Sequence, residues 1–298
     1  MSAQKTSDSA MRPRRSVLYM PGANVRALDK ARTLPADCLI LDLEDAVAPD
    51  AKETARDQIC DALRQGGYGA RELVVRFNAL STPWGKDDIA AFAALPETAR
   101  PHALLAPKIS TPDDIEAVAA LMPNGMDLWI MIETPAAIFN LQALAACNET
   151  GPLTAFCMGT NDLAKEMHAP LIEGRANMQT PLALTLLAAR QYGLAVLDGV
   201  YGDIPNSQGF ADECRQGAEM GFDGKTLIHP SQIETANAVF GPSAEEIREA
   251  RAIIAAFDDP ANAGKGVVTV NGKMTEFLHR DMARRVLAVA DAIKAMQG

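Results

Sequence analysis

The chain has 298 residues, 48% of them hydrophobic and 22% charged, with a formal net charge of -10. Such a composition suits a soluble globular enzyme with a sizeable core. The acidic balance excludes nucleic acid or an anionic membrane as the main partner.

Residues 1–14 read as a disordered polar tail. No secretory signal is visible and no apolar run reaches the length of about 18 residues that a membrane span needs. The five cysteines form no CxxC pair, so reduced thiols in a cytoplasmic protein are expected. Apolar runs then follow at Ser16–Met20, Cys38–Leu41, Leu73–Phe77, Ala103–Ala106, Leu128–Ile132, Leu153–Met158, Ala195–Leu197 and Thr226–Ile228. Between them lie segments of helical period, such as Asp113–Leu121 and Thr180–Tyr192. The runs lack polar alternation, as strands buried on both faces do. Eight strand–helix units predict a (β/α)8 TIM barrel over residues 15–242; a doubly wound sheet would need a glycine-rich dinucleotide turn that is missing. Beyond it, residues 243–298 form a C-terminal lid or oligomerisation extension. Ser243–Glu246 opens a helix with capping chemistry, Val267–Thr275 reads as a hairpin turning at Asn271-Gly272, and Leu278–Met296 as an amphipathic helix.

Polar residues cluster where the runs end, which in a barrel is the active face. The second run ends in Leu-Asp-Leu-Glu-Asp, with Asp42, Glu44 and Asp45 close together; a cation, a proton or water must relieve that repulsion. Glu133 and Asp162 follow consecutive strands, which lie roughly 4.8 Å apart. They either share one divalent cation, with hard oxygen ligands favouring Mg²⁺ or Mn²⁺ over zinc, or cap the helices that follow. Glu44 and Asp45 either hold waters of such a cation or sit at an ordinary helix N-terminus. Arg76 ends a buried strand and needs an anion: a substrate carboxylate or enolate oxygen, or an ion pair with Glu44 or Asp45. Lys108 follows the same logic. The four histidines make no metal-ligand spacing, and the signatures of serine hydrolases, P-loop proteins, zincins and dinucleotide binders are absent.

Six segments occur in one order: Arg15-Ser-Val-Leu-Tyr-Met-Pro-Gly, Leu41-Asp-Leu-Glu-Asp-Ala-Val, Val75-Arg-Phe-Asn, Met131-Ile-Glu-Thr-Pro, Gly159-Thr-Asn-Asp-Leu-Ala and Lys225-Thr-Leu-Ile-His-Pro. Together they resemble the HpcH/HpaI aldolase/citrate lyase family, in its citrate lyase β-subunit-like and malyl-CoA lyase branch, over nearly the whole chain. The resemblance implies a TIM barrel assembled as a homotrimer or hexamer, with a C-terminal lid that reaches a neighbouring subunit. It implies Mg²⁺ on Glu133 and Asp162, Arg76 and Glu133 against the substrate, and CoA phosphates received by Arg15, Arg26 and Lys30. Relatives carry Gly-Lys-Met-Ile-Asp in the lid, whose aspartate is an acid/base; here the segment is Gly-Lys-Met-Thr-Glu, so Glu276 stands in that role. The expected activity is Mg²⁺-dependent cleavage of the C–C bond of a malyl-, methylmalyl-, citramalyl- or citryl-CoA-like thioester to a 2-oxo acid and an acyl-CoA, with Glu44, Asp45, Arg76 and Glu276 as catalytic groups. Hydrolysis of the thioester is the alternative, and a non-catalytic CoA-ester-binding subunit a third.

Overall fold

The structure, a computed structural model, describes residues 12–297. Eight parallel strands close into a barrel in sequence order, β8 pairing with β1. They are β1 (Ser16–Pro21), β2 (Cys38–Asp42), β3 (Glu72–Arg76), β4 (Ala103–Ala106), β5 (Asp127–Ile132), β6 (Leu153–Met158), β7 (Ala195–Asp198) and β8 (Gly224–Leu227). The helices between them are α1 (Val25–Ala31), α2 (Lys52–Gln65), α3 (Gly85–Ala93), α4 (Pro112–Ala119), α5 (Pro135–Phe139), α6 (Leu141–Ala146), α7 (Thr160–Glu166), α8 (Gln179–Gln191) and α9 (Ser207–Met220), with α10 (Ile233–Phe240) after β8. The barrel expected from the eight apolar runs is therefore present.

The strands hold because alternate residues such as Val17, Ile40, Val74, Leu105, Trp129 and Cys157 fill the interior as one buried cluster. One strand starts earlier than its apolar run. Lys225 lies inside β8 with no exposed surface, its ammonium 2.9 Å from Asp198 and 2.7 Å from Glu213. Two carboxylates make a buried lysine tolerable where hydropathy alone would end the strand.

The chain divides into two compact units, Arg14–Asn237 and one built chiefly from residues 238–297. The tail expected over residues 1–14 lies, up to residue 11, outside the described residues. Arg14 is packed: it is 2% exposed, pairs with Glu72 at 2.6 Å and lies 5.0 Å over the Trp129 ring.

In the second unit, α11 (Ala244–Asp258) starts with the expected capping box between Ser243 and Glu246. A hairpin of β9 (Val267–Val270) and β10 (Lys273–Glu276) leads into α12 (Phe277–Gln297). Asn271 and Gly272 both have positive φ, 50° and 76°, as a type I′ turn requires. Phe257 stacks on Phe277 at 5.4 Å, and the Arg280 guanidinium lies 4.6 Å over the Phe277 ring, so α11 and α12 are pinned together.

Candidate active site

The carboxyl ends of the strands bring four of the sequence-expected residues, Asp45, Arg76, Glu133 and Asp162, to one cavity of about 290 Å³, which Tyr19 and Asp42 also line. Asp42 and Arg76 end β2 and β3 and face each other in register. That register produces a two-pronged bond: Arg76 Nε donates to Asp42 Oδ1 and Nη2 to Oδ2, each at 2.7 Å. Its Nη1 lies 2.7 Å from Glu44 and 3.3 Å from Asp45, and its face lies 4.8 Å over the Tyr19 ring. The ion-pair alternative for Arg76 is thus present. Asp42 takes two of five N–H donors, which leaves others for Glu44, Asp45 and a ligand.

Glu44 and Asp45 do not open a helix. The turn that holds them is fixed by Asp42, which accepts from the Glu44 and Ala46 amides, and by Lys52, whose ammonium caps the Leu43 and Glu44 carbonyls at 2.7 Å each. Burial pushes the Glu44 carboxyl up to about 7, against the pull of Arg76 and with the push of Asp45 and Glu133.

Glu133 follows β5 and has no exposed surface. It does not cap the next helix; Thr134 does, accepting from the Ala137 amide. Glu133 Oε1 accepts the Lys108 backbone N–H at 2.7 Å, while Oε2 is buried without a hydrogen-bond partner. Asp162 sits in the first turn of α7, and the Lys108 ammonium reaches both acids, 2.9 Å from Asp162 Oδ2 and 3.4 Å from Glu133 Oε1. Burial raises the Glu133 carboxyl despite Lys108. Burial also pushes Asp162 upward, but the hydrogen bond and charge of Lys108 outweigh it and hold this carboxyl below its ordinary value. Gly159 makes the arrangement sterically feasible: a Cβ there would fall 2.4 Å from Glu133 Cβ and 2.8 Å from Oε2.

The donor set fits a divalent cation. Five acids (Asp42, Glu44, Asp45, Glu133 and Asp162) meet around the mouth against Arg76 and Lys108, Glu133 Oε2 is orphaned, and the ligand atoms are hard carboxylate oxygens. Among the described residues no group of three or more His, Cys, Asp or Glu side chains forms a metal site. A cation held by Glu133 and Asp162 would therefore complete its shell with water and substrate oxygens.

Other expected residues are not gathered here. Arg15 precedes β1 at the amino end of the barrel, and both sides of its guanidinium are taken by Asp37 at 2.8 Å. Its guanidinium is thus occupied at the end of the barrel opposite the mouth, where the resemblance expects it to receive CoA phosphates: a strand carries its first and last residues to opposite ends. Arg26 and Lys30 are exposed, four residues apart on α1, whose N-terminus follows the carboxyl end of β1. Glu276 belongs to the second unit, half-buried, its amide donating to His279 Nδ1 at 3.0 Å. Sequence reading had no role for Asp42, Tyr19 or Gly159. Asp42 stood in the acid cluster at the end of its run, but its bond to Arg76 depends on the β2–β3 register; the other two carry no local signal.

The HpcH/HpaI aldolase/citrate lyase family model matches residues 15–230. The chain belongs to this family. A second model, a C–C bond lyase of the TIM-barrel fold, matches residues 175–293, so this HpcH/HpaI member is similar to the lyases beyond its barrel as well. It is 50% identical over 285 residues to a (3S)-malyl-CoA thioesterase of Cereibacter sphaeroides, covering 96% of this chain and 97% of the relative. It is 33% identical over 290 residues to the citrate lyase subunit beta of Escherichia coli, covering 94% of each. Among solved structures it resembles CitE of Mycobacterium tuberculosis in complex with magnesium, acetoacetate and coenzyme A, with TM-score 0.75 and 26% identity over 94% of this chain and 99% of the other. The HpcH/HpaI chain is thus an enzyme of the lyase and thioesterase class.

Proposed function

We propose that the protein hydrolyses a malyl-CoA-like thioester to the hydroxy acid and CoA, with a divalent cation, Mg²⁺ or Mn²⁺, held by Glu133 and Asp162. The observation that carries the acyl-binding end is the mouth itself: paired carboxylates beside an arginine fixed by Asp42 and Tyr19. The likeness to the C. sphaeroides thioesterases over nearly the full chain favours hydrolysis, as does glutamate rather than aspartate at position 276. The second reading is cleavage of the C–C bond to a 2-oxo acid and an acyl-CoA, favoured by the citrate lyase β and citramalyl-CoA lyase relatives.

When bound, the cation would act as a Lewis acid toward the oxygens of the hydroxycarboxylate end and lower the hydroxyl pKa. Arg76 is held so rigidly that its remaining N–H groups present a preorganised donor to the thioester oxygen, where negative charge grows in either reaction. Glu44 and Asp45 hold water at the rim, and the raised pKa of Glu44 keeps it able to carry a proton near neutrality. Glu276, in the lid role that the family resemblance implies, would take a proton from the attacking water, or in C–C cleavage give one to the enolate carbon.

A larger cavity of about 660 Å³ shares Thr160, Asn161 and Val200 with the mouth. Its walls carry Glu173, Asp203, Asp212 and Glu213 against one cation, Arg175, which Asp198 and Glu213 engage, so the lining is acidic on balance. By the family resemblance the nucleotide end of CoA falls to α1, where Arg26 and Lys30 are exposed. A trimer or hexamer belongs to this reading, supported by apolar side chains left on the barrel surface, such as Phe139 at 90% and Leu187 at 63% exposure. A cytoplasmic setting does too: among the described residues no cysteine is in a disulfide and no helix is long and apolar enough to cross a membrane.

The test is product analysis with (S)-malyl-CoA and Mg²⁺. Free thiol and malate without glyoxylate support hydrolysis; glyoxylate without free thiol assigns the lyase instead. Neither product sinks both readings for this substrate.

A further inference from the structure

Lys108 is an odd residue for its place. Its backbone is left-handed, with φ 58°, a region where glycine or asparagine is the usual occupant and other residues are strained. Its neighbours Pro107 and Ile109 are buried, so the backbone is fixed. The fixed backbone explains the amide bond to Glu133 Oε1, but any residue supplies that amide. It does not explain a lysine. The side chain does: the ammonium reaches both Glu133 and Asp162, at 3.4 and 2.9 Å. Those are the two acids assigned to the cation, and Glu133 is wholly buried. Without a positive charge there, two carboxylates would face each other in a poorly solvated pocket.

We propose that Lys108 is a built-in counter-cation that neutralises the Glu133–Asp162 pair until a divalent ion arrives and then gives way to it. The proposal rests on the reading of that pair as the cation site. The geometry allows the exchange. The Lys108 side chain is 38% exposed and Asp162 30%, so the ammonium swings into water on a flexible stem while the amide stays on Glu133. The anchored backbone and mobile ammonium then have separate tasks: one orients Glu133 in both states, the other holds the cation-free state together. The consequence is a competition. Lys108 weakens the apparent affinity for the divalent ion and protects the fold when the ion is scarce.

The experiment uses the full chain, Mg²⁺ alone as the probe, and the variants Lys108→Met and Lys108→Asn, the second chosen because asparagine tolerates the left-handed backbone. Calorimetric titration is expected to show Mg²⁺ bound about tenfold more tightly or more in both variants, the scale of one charge-assisted hydrogen bond removed from the competitor. Thermal unfolding is expected to show both variants melting below the parent in EDTA, with the gap narrowing at saturating Mg²⁺. A purely structural ion pair predicts a gap that Mg²⁺ does not change. Equal or weaker Mg²⁺ affinity in both variants, or a gap that persists in full, overturns the role of Lys108 while leaving the site reading intact. Mg²⁺ binding absent from the parent and both variants, or undiminished in Glu133→Gln, overturns the cation-site reading and the proposal with it.

Discussion

Adding a single methyl group at Gly159 should disable the site without touching a charge. The new Cβ would sit 2.4 Å from Glu133 Cβ, 2.8 Å from Glu133 Oε2 and 3.1 Å from Met131 Cε. Carbon atoms in contact prefer about 3.5–4.0 Å, so the first contact falls short by more than 1 Å on that scale. Neither side can yield cheaply. Glu133 hangs from β5, whose last residues pair in register with β6, and the Gly159 amide donates to the Ile132 carbonyl at 2.9 Å. Relief must come from parting these strand ends or moving the start of α7, which carries Asp162. Overpacking of this kind costs about 1–3 kcal/mol. For a domain of this size each kcal/mol shifts Tm by about 2–4 °C, so a fall of roughly 4–8 °C is expected at about 2 kcal/mol. Turnover should drop further than stability does, because the displaced atoms belong to the acids proposed to hold the cation. Gly202→Ala is the control: nothing lies within 4 Å of its added Cβ and its φ is not positive. A Gly159→Ala variant within about 0.5 kcal/mol of the parent, with unchanged kcat/KM and Mg²⁺ affinity, would refute the steric reasoning.

Other outcomes follow from the same geometry. Glu133→Gln should lower kcat/KM by roughly 100-fold or more, about 2.7 kcal/mol, with no loss of stability in EDTA, since it removes a desolvated charge; a melting curve and an EDTA-treated activity assay check both halves. Arg76→Lys should cost about 10²–10³ in kcat, because an ammonium cannot copy the forked bond to Asp42; parent-like kinetics would remove Arg76 from the mechanism. Asp198 is held below its ordinary carboxylate value: burial raises it, but Lys225 and Arg175 outweigh burial. Its stabilising contribution is therefore complete above the unfolded value of about 3.9 and is lost as pH falls through the lower folded value. Asp198→Asn should cost about 3 kcal/mol at pH 7 and flatten the acid limb of the stability profile; an unaltered acid limb would contradict the network.

The barrel was legible because its strands are buried on both faces and so appear as unbroken apolar runs, with function gathered at their carboxyl ends. Where polarity inside a strand is compensated by a partner far away in sequence, as for Lys225 with Asp198 and Glu213, the run hid the true start of β8. Glu133, Asp162 and Arg76 could be placed from strand ends alone. The partners of Arg76 could not be ranked, because its bond to Asp42 depends on the β2–β3 register. The left-handed backbone of Lys108 was invisible, as it lacks the glycine or asparagine that announces such a turn. Arg15 owed its expected role to the family resemblance alone, and its pairing with Asp37 at the amino end of the barrel joins segments 22 residues apart that no local signal connects.

Of the two acids assigned to the cation, Glu133 directly follows β5 and Asp162 stands in the first turn of α7, just past the end of the neighbouring β6. Their spacing therefore depends on the β5–β6 pairing and on the turn at Gly159 that starts α7, whose amide donates to the Ile132 carbonyl. Substitutions in the other outer helices can soften or resculpt the protein while leaving the turn between β6 and α7, and with it the distance between Glu133 and the start of α7, in place. The barrel gives this chemistry a ruler made of main chain, and variation elsewhere is free to alter which molecules reach it without altering what happens to them there.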